Sequence, residues 1–171
     1  MRILFVHQNF PGQYLHIVQR LARQGSHQLV ALGINELDTD RPLPESLKYF
    51  RYPLAQGNTK GIHRWVMEME SKTIRAEGCA RAAHELKTKG FTPDLICAHP
   101  GWGEALFLKT VWPDSPLLCY QEFFYNHQGF DSNFDPEFDR DSSWQDEARL
   151  RMKNAYLHLM LDQADWNISP T

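Results

Sequence analysis

The sequence predicts an α/β domain, a parallel sheet with helices on both faces, and three observations carry that expectation. Short apolar runs at residues 3–6, 27–32 and 95–98 lack the polar alternation of a half-solvated strand, which marks strands buried on both faces. Between the first two, Leu15, Val18, Leu21 and Ala22 recur at helical spacing, with Arg20 and Arg23 turned outward. Turn chemistry, Asn9-Phe10-Pro11-Gly12, separates the first strand from that helix, and Gly25 is placed to cap it. Strand, tight loop, amphipathic helix, strand is a βαβ unit, whose crossover brings the two strands in parallel. The opening is Rossmann-like.

The remaining elements follow in order. Residues 35–46 are polar and punctuated by Pro42 and Pro44, so they read as a surface connection. Residues 48–53 suit a short strand. A helical stretch is expected over 62–89, interrupted only by Gly78, with Trp65, Met69, Ile74, Ala80, Ala83 and Leu86 on its inward side. Asp94 ends a turn before the strand at 95–98. A helix follows from Glu104 to Val111, then a strand at 116–120. Residues 125–143, rich in Asp, Phe, Asn and Gly, are long for a routine connection and form a candidate functional loop. A closing helix is expected from Asp146 to Gln163, and a last strand, Trp166 to Ile168, that stops without a partner. No internal repeat or linker divides the chain, so residues 1–171 read as one domain.

Composition narrows the function classes. With 18 Lys+Arg against 21 Asp+Glu, the formal net charge is -3, which offers no basic field for a phosphate backbone. Nucleic-acid binding driven by counterion release is therefore excluded. No apolar run approaches the ~20 residues of a membrane helix, and the first residues turn polar too soon for a signal peptide. Three widely spaced cysteines, Cys79, Cys97 and Cys119, make neither a disulfide framework nor a zinc site. A reducing cytoplasm is the expected location. Cys97 and Cys119 fall in strands and read as buried, inert thiols.

In open parallel sheets, ligands sit beyond the carboxyl ends of the strands. Three such ends carry polar or glycine-containing sequence. After the first, His7 leads through Pro11, Gly12 and Gln13 into a helix N-terminus, where backbone N–H groups and the helix dipole can hold a phosphate. The same residues also read as a plain turn. No GxGxxG or GxxxxGK[ST] occurs, which disfavours a dinucleotide dehydrogenase or a P-loop enzyme. After the third core strand comes His99-Pro100-Gly101-Trp102-Gly103-Glu104. An imidazole there can donate to a ligand oxygen or move a proton near neutral pH. Trp102 offers a flat wall for a sugar ring, and Glu104 can bind hydroxyls or complement a helix dipole. The third place, Tyr120-Gln121-Glu122-Phe123-Phe124, sets a carboxylate among aromatics, a hydroxyl ligand or a satisfied strand-end acid. The acidic set Asp131, Asp135, Glu137, Asp139 and Asp141 does not match a calcium-loop spacing and reads as a solvated loop.

The segments Arg2–Gln13, Pro93–His99 and Ala164–Ser169 resemble the N-terminal half of family 4 glycosyltransferases with the GT-B fold. The stretches His99–Glu104, Gln121–Tyr125 and Phe134–Phe138 look like one bacterial subgroup of it. The resemblance implies two facing Rossmann-like domains, of which this chain would be the acceptor-side one, with the C-terminal donor-binding domain absent. It implies a hexosyltransferase-type enzyme that transfers a sugar from a nucleotide-sugar donor to a carbohydrate or lipid-linked acceptor hydroxyl, with retention and without a metal or other cofactor. Residues at the positions of Pro11, Gly12 and Gln13 would face the donor phosphates, and His99 would be the catalytic group beside the transferred sugar. His7, Gly101, Trp102, Glu104 and Glu122 would line the acceptor cleft. The loop has one glycine where many relatives have two. The diphosphate clamp belongs to the second domain, so the 171 residues alone are expected to be inactive. A cytoplasmic enzyme of this kind has no integral membrane segment, although the full-length form is compatible with peripheral membrane association. Two other readings stand beside it: a self-contained α/β module that binds a small ligand or protein without catalysis, and a metal-dependent hydrolase using the Asp-rich loop.

Overall fold

A computed structural model describes residues 1–37, 43–126, 135, 137 and 143–170. Among the described residues six strands form one sheet: β1 (Arg2–Val6), β2 (Gln28–Gly33), β3 (Leu47–Arg51), β4 (Leu95–Ala98), β5 (Leu117–Tyr120) and β6 (Trp166–Ile168). Their spatial order is β3-β2-β1-β4-β5-β6, and every adjacent pair is parallel. This is the doubly wound Rossmann order, which reverses direction between β1 and β4. The helices are α1 (Leu15–Gln24), α2 (Met67–Thr88), α3 (Leu108–Val111) and α4 (Trp144–Gln163).

The absence of polar alternation in the strands has the expected cause, since both faces are covered. Leu4, Val6, Val30, Leu32, Ile96 and Ala98 point to one face, where they pack with Ala76, Cys79 and Ala83 of α2, Leu108 of α3 and Met160 of α4. Ile3, Phe5, Leu29, Ala31 and Cys97 point to the other, against Val18 of α1 and against Phe10 and Tyr14 of the segment that leads into it. The period-two alternation thus divides one apolar run between two cores. Gly25 closes α1 in the left-handed conformation, donating its N–H to Ala22 O.

The strand boundaries shift by one or two residues from the sequence expectation, and three helices differ more in form. The helix expected from residue 62 starts at Met67, because His63 holds the preceding turn locally: its Nδ1 accepts from Trp65 N and its carbonyl from Val66 N. Gly78 does not interrupt this helix. The expected helix from Glu104 to Val111 is a 3-10 turn, Glu104–Phe107, followed by the single turn of α3. Gly103 explains the break, since its φ of +106° places it against the backbone of Lys72 in α2. The last helix begins two residues earlier than expected, at Trp144. Ser143 and Asp146 make a reciprocal capping box there.

The last strand is not partnerless. Leu118, Cys119 and Tyr120 of β5 register with Trp166, Asn167 and Ile168 of β6. Asp165 docks it: its carboxylate accepts from Leu117 N at 2.8 Å and from Lys109 Nζ at 2.9 Å, and its own N–H donates to Leu117 O. β6 is an edge strand, and its three residues are all exposed.

All three cysteines are buried and free, Cys97 and Cys119 as the sequence suggested and Cys79 in addition. Burial pushes the Cys97 thiol up to about 11 and that of Cys119 up to about 12. Among the described residues no helix is long and apolar enough to cross a membrane. Of the acidic set, Asp131, Asp139 and Asp141 lie outside the described residues, as does most of the 125–143 loop with its Phe134–Phe138 motif. Glu137 donates its backbone N–H to the Asp135 carboxylate.

A Cβ at position 103 would sit 2.5 Å from Lys72 O, a backbone atom that cannot swing aside. Gly103→Ala should therefore lower unfolding stability in urea by about 2–4 kcal/mol. Gly57, with open space around it, is the control: Gly57→Ala should stay within about 0.5 kcal/mol of the parent.

Candidate active site

The carboxyl ends of β1, β4 and β5 converge at the switch point, and each delivers one polar side chain. His7 follows β1, His99 follows β4, and Glu122 lies two residues past β5. The two imidazoles are 5.2 Å apart, edge to face, and each is only 4% exposed.

Hydrogen bonding fixes the tautomer of each ring. Gly101 N–H donates to His99 Nδ1 at 3.1 Å, so in the neutral ring the proton must sit on Nε2. That Nε2 lies 3.1 Å from Glu122 Oε2 and donates to it. In the same way Asn9 N–H donates to His7 Nδ1 at 3.0 Å, leaving the proton on Nε2. Gln13 links the two halves. Its Nε2 donates to Glu122 Oε1 at 3.2 Å, and its amide also hydrogen-bonds His7, for which only its oxygen remains as acceptor. The result is one connected network: His7 to Gln13 to Glu122, with His99 donating to the same carboxylate. Burial, reinforced by the neighbouring His99, lowers the His7 pKa to about 4, so His7 is neutral at physiological pH.

Local structure holds these groups in place. Gly12 adopts φ +46°, and a Cβ there would lie 2.5 Å from two atoms of the His7 ring. The glycine thus lets the loop fold over the imidazole. Tyr14 N–H donates to Pro11 O and closes the turn into α1. From the opposite side, Tyr156 of α4 donates its hydroxyl to Gly101 O at 2.9 Å, which ties that helix to the His99 loop.

Above the network lies a cleft of about 610 Å³, within the size range of small-molecule sites. His7, Pro11, Gly12, Gln13, Trp102 and Glu122 all line it. His99 does not; it stands behind Glu122. Gly101 likewise contributes through the two backbone hydrogen bonds described. Glu104 is placed elsewhere. Its side chain is fully buried in the core, where Oε1 accepts from the Tyr52 hydroxyl at 3.1 Å and Oε2 has no partner. The reason is the 3-10 turn, which rotates residue 104 under α2 instead of toward the strand ends. Burial raises its pKa to about 7.

Four further lining residues, Asn9, Phe10, Asn35 and Glu36, were not singled out from the sequence as cleft groups. Asn35 Nδ2 donates to Asn9 Oδ1, and Glu36 pairs with Arg51 at 2.7 Å. Asn35 and Glu36 follow β2, a fourth strand end at the same edge of the sheet. Applying the strand-end rule to every strand would have found them. Among the described residues no group of three or more His, Cys, Asp or Glu is arranged to hold a metal ion.

The sequence model of the family described as "Glycosyl transferase family 4 group" matches residues 25–171. No curated protein matches the chain. Among solved structures, apo UGT2 from Phytolacca americana superposes with a TM-score of 0.62 at 14% identity, covering 99% of this chain and 45% of that one. UGT2 from the same plant, complexed with UDP-2fluoro-glucose and pterostilbene, gives a TM-score of 0.48 at 15% identity over 71% of this chain and 30% of that one. The chain spans less than half the length of either. The first of these likenesses concerns the fold alone.

The buried carboxyl of Glu104 leaves a signature in pH dependence. Its folded-state pKa of about 7 lies above the ordinary 4.5. The stability it contributes is therefore fully present below pH 4.5 and is lost as pH rises through 7. His7 acts in the opposite sense, with stability present above its ordinary 6.5 and lost as pH falls through about 4. Glu104→Gln should thus gain on the parent protein as pH rises, by on the order of 3 kcal/mol at pH 8, and should show no such gain at pH 4. Urea unfolding at a series of pH values measures this.

Proposed function

The chain belongs to the glycosyl transferase family 4 group, and from that premise we propose that it forms the acceptor side of a retaining enzyme that moves a sugar from a nucleotide-sugar donor to an acceptor hydroxyl. The observation that carries this reading is the convergence of His99 and Gln13 on the Glu122 carboxylate at the mouth of the cleft. A carboxylate held by two donors keeps lone pairs free for the hydroxyls of a sugar. Trp102, 40% exposed beside it, offers a face for the ring.

In this reading the acceptor meets Glu122, and His99 is a positioning residue. Its Nε2–H holds the carboxylate in the orientation that accepts a hydrogen bond from the acceptor hydroxyl. The loop of Pro11, Gly12 and Gln13 faces the donor phosphates and approaches them through backbone N–H groups, since its one long polar side chain is engaged with Glu122. A second domain, carrying the nucleotide and the groups that stabilise the departing diphosphate, completes the site. The donor sugar is a hexose, transfer needs no metal, and the enzyme works in the cytoplasm. The likeness of residues 2–13, 93–99 and 164–169 to family 4 enzymes supports these finer points.

Two preparations test the proposal: the 171-residue chain, and the product of the whole reading frame that encodes it. Incubated with UDP-, GDP- or ADP-glucose and a sugar acceptor, only the second should give sustained transfer, with the anomeric configuration kept by NMR and with no loss on EDTA treatment. Turnover by the 171 residues alone would overturn the half-site reading, and inversion would overturn retention. In the active preparation, His99→Ala should lower kcat by about 10- to 100-fold with little change in KM. His99→Gln, which can still donate to Glu122, should recover part of the loss. A loss of stability alone would not divide the two variants in this way.

A further inference from the structure

We propose that helix α4 sets His99 against Glu122, with Tyr156 and Asn154 as the residues that position the pair. This rests on the acceptor-side reading above and names what keeps that site in working order.

His99 and Glu122 come from different strand ends, and the sheet alone does not join them. His99 N–H is held by Val6 O, but the setting of its ring depends on the following loop, through the Gly101 N–H donated to Nδ1. A Cβ at Gly101 would lie 2.5 Å from His99 Cε1, so that turn is folded tightly onto the ring and a small tilt moves the donor. Glu122 lies beyond the β5 ladder. The backbone ahead of it is tied by Gln121 N–H to Ile168 O, and among the described residues the next outside hold is at Tyr125. Helix α4 grips both segments. Tyr156 donates its hydroxyl to Gly101 O at 2.9 Å. Asn154 holds both backbone groups of Tyr125, Oδ1 accepting from the N–H at 3.1 Å and Nδ2 donating to the carbonyl at 2.7 Å. Residues two apart on a helix point about 200° away from each other, so α4 reaches one segment from each flank.

The grip is polar where packing calls for no polarity. Tyr156 and Asn154 are both buried, and Leu150, Leu157 and Met160 give the helix its apolar contacts. A phenylalanine at 156 would fill the same space without the hydrogen bond. Burial raises the Tyr156 pKa, so the hydroxyl keeps the proton it donates. Lys72 of α2, itself buried, sets its Nζ 3.4 Å from the centroid of the Tyr156 ring and 3.6 Å from Glu68. A cation over the ring face is attracted to its electron density and strengthens the phenol as a donor. The same Lys72 meets Gly103 through its backbone, so α2 braces the His99 loop and the tyrosine that holds it.

Heteronuclear NMR of the His99 ring in the 171-residue chain gives one test. The parent should show a single neutral form protonated on Nε2. Tyr156→Phe and Asn154→Ala, with folds checked by circular dichroism, should each speed exchange of that N–H with water by about fivefold or more. Leu150→Val, a packing change on the same helix, should leave the exchange rate within about twofold of the parent. Kinetics of the whole reading-frame product give the other test. Tyr156→Phe should lower kcat by about three- to tenfold with KM within about twofold. Made on His99→Ala, the same change should lower kcat by less than about twofold, because a residue acting through His99 then has nothing left to position. Unaltered exchange in either variant, or an equal rise in Leu150→Val, would overturn the inference. An equal fall of kcat in the two backgrounds would also overturn it, by giving Tyr156 a role in packing alone. If the whole product transfers no sugar, the acceptor-side reading falls, and the exchange rates alone decide whether α4 holds His99.

Discussion

The pairing of β1 with β2 on one side and β4 on the other is the constraint from which the rest follows. Both edges of β1 are hydrogen-bonded in parallel, and Leu4, Phe5 and Val6 are wholly excluded from water. Parallel pairing sends all strand ends to one side, and reversal of strand order after β1 opens a gap between the helices that follow β1 and β4. His7 and His99 stand at that gap because each is the residue immediately after its strand. His99 N–H donates to Val6 O and His7 N–H to Leu32 O, so the backbone ladder itself places both imidazoles. A shift of β4 by one residue would exchange Cys97 and Ala98 between the two cores and carry His99 away from its partners.

On this scaffold polar groups are arranged by burial as much as by contact. His7 and Glu104 are both withdrawn from water, and in each case the neutral form is favoured. Their positions differ in consequence. His7 is satisfied on both nitrogens and borders the cleft. Glu104 has an oxygen with no partner inside an apolar core, which costs stability whenever it ionises. The 3-10 turn that buries it is imposed by the close approach of Gly103 to α2, so a packing requirement decides which of two neighbouring polar residues faces the cleft.

Much of this architecture could be read from residue pattern. Unbroken apolar runs announced a sheet covered on both faces, helical spacing after Pro11-Gly12 announced the crossover, and Gly25 marked its end. The strand-end rule led to His7, His99 and Glu122 before any contact was known. What pattern could not supply was long-range geometry. Gln13 and Glu122 lie 109 positions apart, and nothing local to either indicates that the amide turns to a carboxylate instead of a phosphate. Glu104 failed for the opposite reason: its neighbours suggested a helix, and tertiary crowding replaced that helix with a tighter turn. The edge strand β6 was misjudged because its own side chains are exposed. Its partner is held by backbone bonds and by Asp165, neither of which hydrophobicity reports.

The three cysteines give the fold an internal clock. Each thiol is free and buried, Cys79 and Cys119 in the core under α2 and Cys97 in the core under α1. A reagent that needs a thiolate at the surface can reach them only when the layer above opens. The rate at which each sulfur is trapped therefore reports the frequency with which its side of the sheet is uncovered. Because the two sides carry different cysteines, a single labelling course separates the breathing of one helix layer from that of the other.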